Sequence, residues 1–368
     1  MGSVNGSTSN HWKTPELLAV AVETDPTTTE RTLEYWRNQG LLPHAERRGQ
    51  DGKRPVWDYP PETSDQLRAL LRLREQTKDP NLLRAALWYD GHAIETARVR
   101  GSIGSHLRQV RDTCEKELAK NHSGPAGDPA ARWEAIQAVA RVLARKRSQG
   151  FPRLNRQSLA ERSAGIALTL GLLLGEGEAM RHLEADAPAV ERLIGVDHGR
   201  RFRPNGVGPW LDGPAAEGLE GFSKIGSLDR LIEVVEGATD ENLEAARGFA
   251  KVLLGGISAF SRIADALAGR DNASGMAGMR IFDGDPHEAV FVVPLVLSIL
   301  GSTELAQNLG QVVGAIQTSV EPIEQQAREL VAMTEEERDE RMKNLSQLPF
   351  AEQLRIKRLM AEFAEPTN

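Results

Sequence analysis

Apolar residues recur at intervals of three and four along most of this chain, which is the spacing of one buried helical face. The longest such run begins at Asp240, a residue suited to cap a helix, and keeps its register for about seven turns through Leu267. Further helices are predicted at 131–147, 156–174, 176–194, 287–300, 303–332, 335–345 and 350–363, with a loop-rich stretch from Gly195 to Pro214. The pattern predicts a mostly α-helical protein.

A first short helix is predicted near the beginning of the chain. Pro15 suits the first position of a helix, so this helix runs from Pro15 to about Val22, with Thr14 as its cap. Pro26 disfavours helical backbone at the residue before it, and the helix therefore ends before the stretch 23–28.

A second helix follows at about 29–39, with Thr27 or Thr28 as its cap. Gly40 stands where a helix commonly ends in the left-handed conformation, and Leu41-Leu42-Pro43 then leads the chain away from it. The two helices are thus separated by the stretch 23–28, and the second has a defined end.

Residues 44–59 lack helical spacing and are predicted to form a β-hairpin. Asp51-Gly52 lies between two short extended stretches, and this dipeptide favours a two-residue hairpin turn. Four basic residues flank the turn: Arg47, Arg48, Lys53 and Arg54. Helical spacing then resumes at Thr63 or Ser64, stops at Asp79-Pro80, and continues through 82–87 and 92–120.

Composition is typical of soluble globular proteins. Of 368 residues, 40% are hydrophobic and 26% charged, and the aromatic share of 5% favours a helical fold over a β-rich one. Cys114 is the sole cysteine, which excludes an intramolecular disulfide and a cysteine-rich zinc site. The expected location is therefore the reducing environment of the cytoplasm.

Neither a leader nor a membrane span is predicted. Residues 1–12 are interpreted as a disordered tail, because they have no basic start and no apolar run. The longest apolar stretch runs from Ala289 to Gly301, about 13 residues with Pro294 inside, which is too short for a bilayer. It is interpreted as a buried core helix.

Charge is distributed unevenly along the chain, whose net charge is −7. Residues 1–150 hold 23 Lys and Arg against 19 Asp and Glu, a net of +4, whereas the remainder holds 22 against 33, a net of −11. A basic front and an acidic rear predict that only the front meets phosphate, since such fields steer association.

The front also carries an ordered set of residues with a family likeness. Thr32-Leu33, Tyr35-Trp36 and Gly40-Leu41-Leu42-Pro43 occur in that order, followed by the clustered arginines and Tyr59. On these residues, about 13–90 resembles the MerR family of bacterial transcription regulators. The resemblance implies an N-terminal winged helix-turn-helix DNA-binding domain whose wing is a small β-hairpin.

The resemblance, together with the chemistry of the side chains, predicts which residues contact double-stranded DNA. The first turn of the second helix faces the base edges of the major groove and carries Thr28, Thr29 and Arg31. Tyr35 and Arg37 lie later on the helix, near phosphate, and the wing places Arg47, Arg48, Lys53 and Arg54 against the backbone or minor groove. Taken alone, Arg47-Arg48 is also typical of a solvated loop.

The predicted organisation is a DNA-binding domain at 13–90, a connecting helix and linker at 91–129, and an all-α domain at 130–364. The resemblance implies a homodimer through a long helix, for which 92–120 is the candidate, with the rear domain as the alternative contact. The rear domain is expected to sense a small-molecule or protein effector, or to mediate oligomerisation.

The predicted function is sequence-specific transcription regulation in the cytoplasm, at the nucleoid. Two alternatives remain: a DNA-associated accessory or architectural protein of the excisionase-like or partition-like kind, and a scaffold for protein interactions. No catalytic arrangement, metal-ligand set or cofactor motif is recognised in the sequence, so no enzyme activity is predicted.

Overall fold

The computed structural model of the protein describes residues 12–51, 54–122, 124–125, 127–145, 158–193, 215–268 and 287–320, together with 322 and 325. Within these ranges the chain is mostly helical, with thirteen α-helices, a π-helical turn and one small antiparallel sheet, so the predicted mostly α-helical class is confirmed. In chain order the elements are β1 (Trp12–Lys13), α1 (Thr14–Thr24), α2 (Glu30–Asn38), β2 (Glu46–Asp51), β3 (Arg54–Tyr59), α3 (Thr63–Gln76), α4 (Pro80–Asp90), α5 (Thr96–Asn121), α6 (Pro129–Arg145), α7 (Leu159–Leu173), α8 (Gly177–Leu193), α9 (Ala215–Ile225), α10 (Leu228–Gly237), α11 (Asp240–Ala268), α12 (Glu288–Leu300), α13 (Thr303–Ala315) and the π-helical turn Ile316–Val320.

The predicted hairpin is present as β2 and β3, which pair antiparallel. Asp51, predicted to lie in the turn, belongs to β2 and lies opposite Arg54. Residues 52 and 53 lie outside the described residues. A β-bulge between Arg47 and Gly49 shifts the register and changes which side chains face each side of the strand.

A third strand, β1, was not predicted, because Trp12 was assigned to the tail. Trp12 lies opposite Tyr59 at the outer side of β3, and its indole N–H donates to the carbonyl oxygen of Pro61 at 3.0 Å. The sheet order is β1-β3-β2. Residues 1–11 of the predicted tail lie outside the described residues.

Helices α1 and α2 both begin differently from the prediction. Thr14 is the first residue of α1, and the backbone N–H of Lys13 donates to the carboxylate of Glu16 at 2.8 Å. The cap of α2 is Thr29, whose hydroxyl accepts from the backbone N–H of Thr32 at 3.2 Å. The predicted caps Thr14 and Thr27 or Thr28 are thus wrong by one or two residues.

The turn between α1 and α2 explains why Thr27 is not the cap. Its backbone N–H and its hydroxyl both donate to Oδ1 of Asp25, at 3.0 and 2.6 Å. These hydrogen bonds lower the pKa of the Asp25 carboxyl below its usual value. Because Asp25 holds Thr27 in the turn, the cap of the next helix is Thr29.

The rear of the chain contains two helices that were not predicted, α9 and α10. The predicted loop 195–214 lies outside the described residues, and α9 begins directly after it, at Ala215. Thr239, not Asp240, caps α11, since its hydroxyl accepts from the backbone N–H of Asn242 at 3.2 Å. The helices predicted at 335–345 and 350–363 also lie outside the described residues.

The described residues form two hydrophobic cores, which do not follow the order of the chain. The first joins the front of the protein to its rear, with buried side chains from α1–α5 and from α10–α13, among them Leu17, Leu33, Trp36, Leu70, Trp88, Ile103, Leu231, Val235, Val290 and Val293. The second lies among α6, α7 and α8 and includes Trp133, Ile136, Ile166 and Leu168. Packing therefore crosses the predicted boundary at 129–130.

Helix α5 is the element that links the two ends of the chain. Val99, Ile103 and Leu107 are fully buried on its apolar face, which packs against α4, α10 and α12. Arginines along α5 form ion pairs with acidic residues of α10 and α11: Arg100 with Asp240, Arg108 with Glu236, and Arg111 with Asp229. The basic front and acidic rear thus meet here, although exposed pairs of this kind contribute only about 0.2–1 kcal/mol each.

This packing predicts how a truncated chain behaves. A fragment of residues 1–122 lacks α10–α12 and exposes the apolar face of α5, so it is expected to self-associate or to unfold more readily. Light scattering compares its molar mass with that of the full chain. A fragment that is monodisperse, monomeric and as stable as the full chain would contradict the shared core.

A buried histidine on α5 makes stability depend on pH. His106 Nδ1 lies 3.3 Å from Oδ2 of Asp79, and its ring lies 5.6 Å from that of His287. Burial lowers the pKa of His106 below its ordinary value, although Asp79 opposes the shift. A histidine whose pKa is lowered in the folded state makes its full contribution to folding stability above its unfolded pKa, about 6.5. That contribution is lost as the pH falls.

We therefore expect His106→Gln to weaken the pH dependence of folding. In urea unfolding at pH 7.5 and 5.5, the wild type should lose more free energy of unfolding between the two values than the variant does. Equal losses in both proteins would contradict the assignment, whatever the absolute stability of the variant.

The predicted core helix at 289–301 is confirmed as α12, in which Ala289, Val290, Val293 and Val296 are fully buried. Among the described residues, no single helix has both the length and the apolar composition to cross a bilayer. The segments Ala289–Leu300 and Leu305–Thr318 reach that composition together, but only as a pair bent by 118°.

Candidate nucleic-acid interface

Helix α2 has one buried face and one polar face. Leu33 and Trp36, three residues apart, are 0% and 2% exposed and belong to the first core. Arg31, Glu34 and Tyr35 are exposed on the rest of the helix, and Tyr35 keeps 52% of its surface accessible. The helix is amphipathic because its polar residues fall between the apolar positions, and this leaves a polar surface available for a partner.

Of the three residues predicted to face base edges, Arg31 is the one whose side chain is both exposed and free of hydrogen bonds to the described residues. Arg31 is exposed in the first turn of α2, and the described part of the chain offers it no hydrogen bond or ion pair. Thr29 is exposed too, but its hydroxyl is occupied as the cap of α2. An uncommitted guanidinium has all its donors available for a ligand.

Thr28 departs from the prediction. It is only 5% exposed, and its hydroxyl has no hydrogen-bond partner among the described residues. The turn at Asp25 directs this side chain inward, so Thr28 is a buried residue of the turn rather than a surface contact.

Arg37 also departs from its predicted role at phosphate. Its side chain is 15% exposed, lies 3.8 Å from Glu34, and places its guanidinium 4.9 Å above the centre of the Trp57 ring. Such a cation–π contact joins α2 to β3 and removes most of the arginine from solvent. Arg37 therefore fixes the hairpin against the helix.

The hairpin places the four predicted basic residues unequally. Arg47 is exposed on β2, opposite Trp57 of β3. Arg48 and Arg54 belong to the strands, but their side chains lie outside the described residues, as does Lys53 altogether. Arg31 and Arg47 are thus the exposed cations that the structure places on α2 and on β2.

Sequence reasoning missed the residues that support this surface. Gln66 of α3 is fully buried, and its amide N–H donates to the carbonyl oxygen of Leu41 at 3.0 Å, which holds the turn after α2. Arg74 places its guanidinium 4.7 Å above the ring of Trp36. A glutamine inside the apolar stripe of α3 is the signal that could have identified Gln66, because buried polar groups need partners.

Metal binding and thiol chemistry have little support in the described ranges. Within them, no three His, Cys, Asp or Glu residues are grouped as a metal site would require. Burial raises the pKa of the Cys114 thiol, so it stays protonated near neutral pH. The exposed surface of α2 and β2 is therefore the functional candidate that the geometry favours.

Comparisons of this chain with protein families, with characterised proteins and with solved structures found no match. The role of the surface on α2 and β2 is therefore argued from its own residues: an exposed arginine in a first helical turn, a second one on the neighbouring hairpin, and a rigid support beneath both.

Proposed function

We propose that this protein is a sequence-specific DNA-binding transcription regulator in which α1, α2 and the β2–β3 hairpin act as a winged helix-turn-helix. The observation that carries the proposal is Arg31, exposed and uncommitted in the first turn of an amphipathic helix whose other face is anchored in the core. The likeness of residues 28–43 to the MerR family agrees with it.

The chemistry of the exposed residues suits DNA. Arg31 has a fork of donors that matches the O6 and N7 acceptors of guanine in the major groove. Tyr35, further along the same exposed face, presents a hydroxyl suited to phosphate, and Arg47 extends the contact along the backbone. Thr28 and Arg37 are not part of the proposed contact, because Thr28 is buried and the guanidinium of Arg37 lies over the ring of Trp57.

The remaining helices are proposed to serve regulation or assembly. The helices α10–α12 pack on α5, directly behind the DNA-binding unit, so an effector that acts on the rear helices has a mechanical route to the front. In this proposal the protein works in the cytoplasm, at the nucleoid.

The proposal is tested by selecting duplexes from a random pool with the full chain. Enrichment of a common sequence, bound more tightly than a scrambled duplex of equal length, is the expected result. A pool that stays random after repeated rounds at moderate salt would overturn sequence-specific binding.

One observation favours a second candidate, an accessory or architectural DNA-binding protein. The apolar face of α5, the candidate dimer surface, is covered by α10 and α12 of the same chain. A chain without this dimer contact would bind single or tandem sites instead of one symmetric operator. Footprints of several adjacent copies, or a large bend in the duplex, would favour this candidate.

A further inference from the structure

The C-terminal end of α2 is held by side chains from three different helices. A helix leaves its last four carbonyl groups without intrahelical partners, and these need other donors. The described contacts to carbonyl oxygens in this region are Arg98 Nη1 to Asn38 at 3.4 Å, Arg84 Nε to Gln39 at 2.7 Å, and Gln66 Nε2 to Leu41 at 3.0 Å. The end of α2 is thus tied to α5, α4 and α3 together.

Arg84 is the centre of this arrangement. Besides the carbonyl of Gln39, its guanidinium donates to Oδ1 of Asn81 at 3.0 Å and to the hydroxyl of Ser102, and it lies 3.4 Å from the side-chain oxygen of Gln39. These contacts occupy most of the five donors of an arginine. One residue therefore connects α2, α4 and α5.

Arg84 is also shielded from solvent. Burial lowers the pKa of its guanidinium, with the nearby charge of Arg98 as a second cause. The side chain is committed to protein acceptors and is not presented to a ligand as Arg31 is. Arg84 therefore affects a partner of α2 only by holding that helix in position.

The close approach of Arg98 to the backbone after α2 requires a glycine at position 40. Gly40 has φ of +67°, and a β-carbon at that position would lie 2.8 Å from Nη1 of Arg98. A glycine here permits both the left-handed turn and the contact with the arginine. Gly40 thus lets the guanidinium of Arg98 reach the end of the helix.

We propose that Arg84 is a positioning residue for DNA recognition, fixing the orientation in which α2 presents Arg31 to a base pair. This inference rests on the proposed function of α2. Groups that read base edges must be held within fractions of an ångström, and a helix tied at its end by a rigid planar fork meets that requirement.

The proposal predicts different effects of Arg84 variants on sequence-specific and on non-specific DNA binding. Non-specific affinity depends on cations that meet phosphate, and Arg84 is not among them. Arg84→Gln should therefore lower affinity for the selected duplex about tenfold and leave affinity for a scrambled duplex at low salt nearly unchanged. Arg84→Lys keeps the charge and the donors of an ammonium group but not the planar fork, and should recover part of the loss.

The experiment uses the full chain with Arg68→Gln as the matched control. Arg68 is an exposed arginine of α3 paired with Asp65 at 3.2 Å, so its replacement removes the same charge without touching α2. Amide hydrogen exchange at Gly40 and Leu41, compared with exchange in α7, reports whether the end of α2 loosens. Ser102→Ala, which removes one acceptor of Arg84, serves as a milder variant if Arg84→Gln folds poorly.

The expected result is a loss of discrimination and faster exchange at Gly40 and Leu41 in Arg84→Gln, smaller changes of the same kind in Ser102→Ala and Arg84→Lys, and neither in Arg68→Gln. Unchanged discrimination in folded Arg84→Gln and Ser102→Ala overturns the positioning role alone. A wild-type chain that binds no DNA overturns the proposed function, and the positioning role with it.

Discussion

Replacing Trp36 by alanine is expected to lower the free energy of unfolding by about 3–5 kcal/mol, the usual cost of removing a large aromatic side chain from a core. Trp36 is 2% exposed, belongs to the core shared by the front and rear helices, and supports the guanidinium of Arg74 at 4.7 Å. Urea unfolding of the full chain measures the change.

Its neighbour Tyr35 provides the control. Tyr35 is 52% exposed on the same helix, so Tyr35→Ala should change the free energy of unfolding by no more than about 0.5 kcal/mol. If the two substitutions changed the free energy of unfolding by similar amounts, large or small, α2 would not bury the face that contains Trp36.

Replacing Arg31 by alanine is expected to remove about 1–3 kcal/mol of discrimination at one base pair, without loss of stability. Arg31 is exposed and makes no hydrogen bond or ion pair with the described residues, so its removal is expected to leave the fold intact. Binding of the variant to the selected duplex and to its single-base variants measures the effect.

Arg181 of α8 is the matched control for charge. Its side chain is 78% exposed and pairs with Glu178 on its own helix. Arg181→Ala should not change the discrimination between the selected duplex and its single-base variants. Arg31 would lose its assigned role if Arg31→Ala bound all duplexes with equally reduced affinity, because that is the behaviour of a phosphate contact.

The local pattern of the sequence was sufficient for many of the elements near the candidate surface. Leu33 and Trp36 are three residues apart and Gly40 follows the helix, so the spacing and the glycine together predicted α2 and its end. The hairpin was predicted from the lack of helical spacing and a turn dipeptide. These features are decided by neighbouring residues, and neighbouring residues are what a sequence displays.

Side-chain roles were predicted less well, because they depend on contacts between distant residues. Thr28 was expected to face DNA, but the hydrogen bonds of Thr27 to Asp25 turn the chain so that Thr28 is buried. Arg37 was expected at phosphate, but Trp57, twenty residues away, takes its guanidinium. Such pairings follow from the tertiary fold and not from helical spacing.

The largest difference concerns the division of the chain. Helix α10 was missed although Leu228, Leu231, Ile232 and Val235 have helical spacing after Ser227, which caps it. Once α10 is present, its apolar face needs a partner, and α5 supplies it. Nothing in local sequence indicates that a helix near residue 230 packs on one near residue 100, and the shared core was therefore not predicted.

Sequence-specific DNA binding by the exposed surface of α2 and β2 is tested by titrating the full chain with the selected and scrambled duplexes across a series of salt concentrations. The selected duplex is expected to bind more tightly by on the order of a thousandfold or more, and both affinities are expected to fall as the salt concentration rises. Equal affinity for the two duplexes, or no binding at low salt, would contradict it.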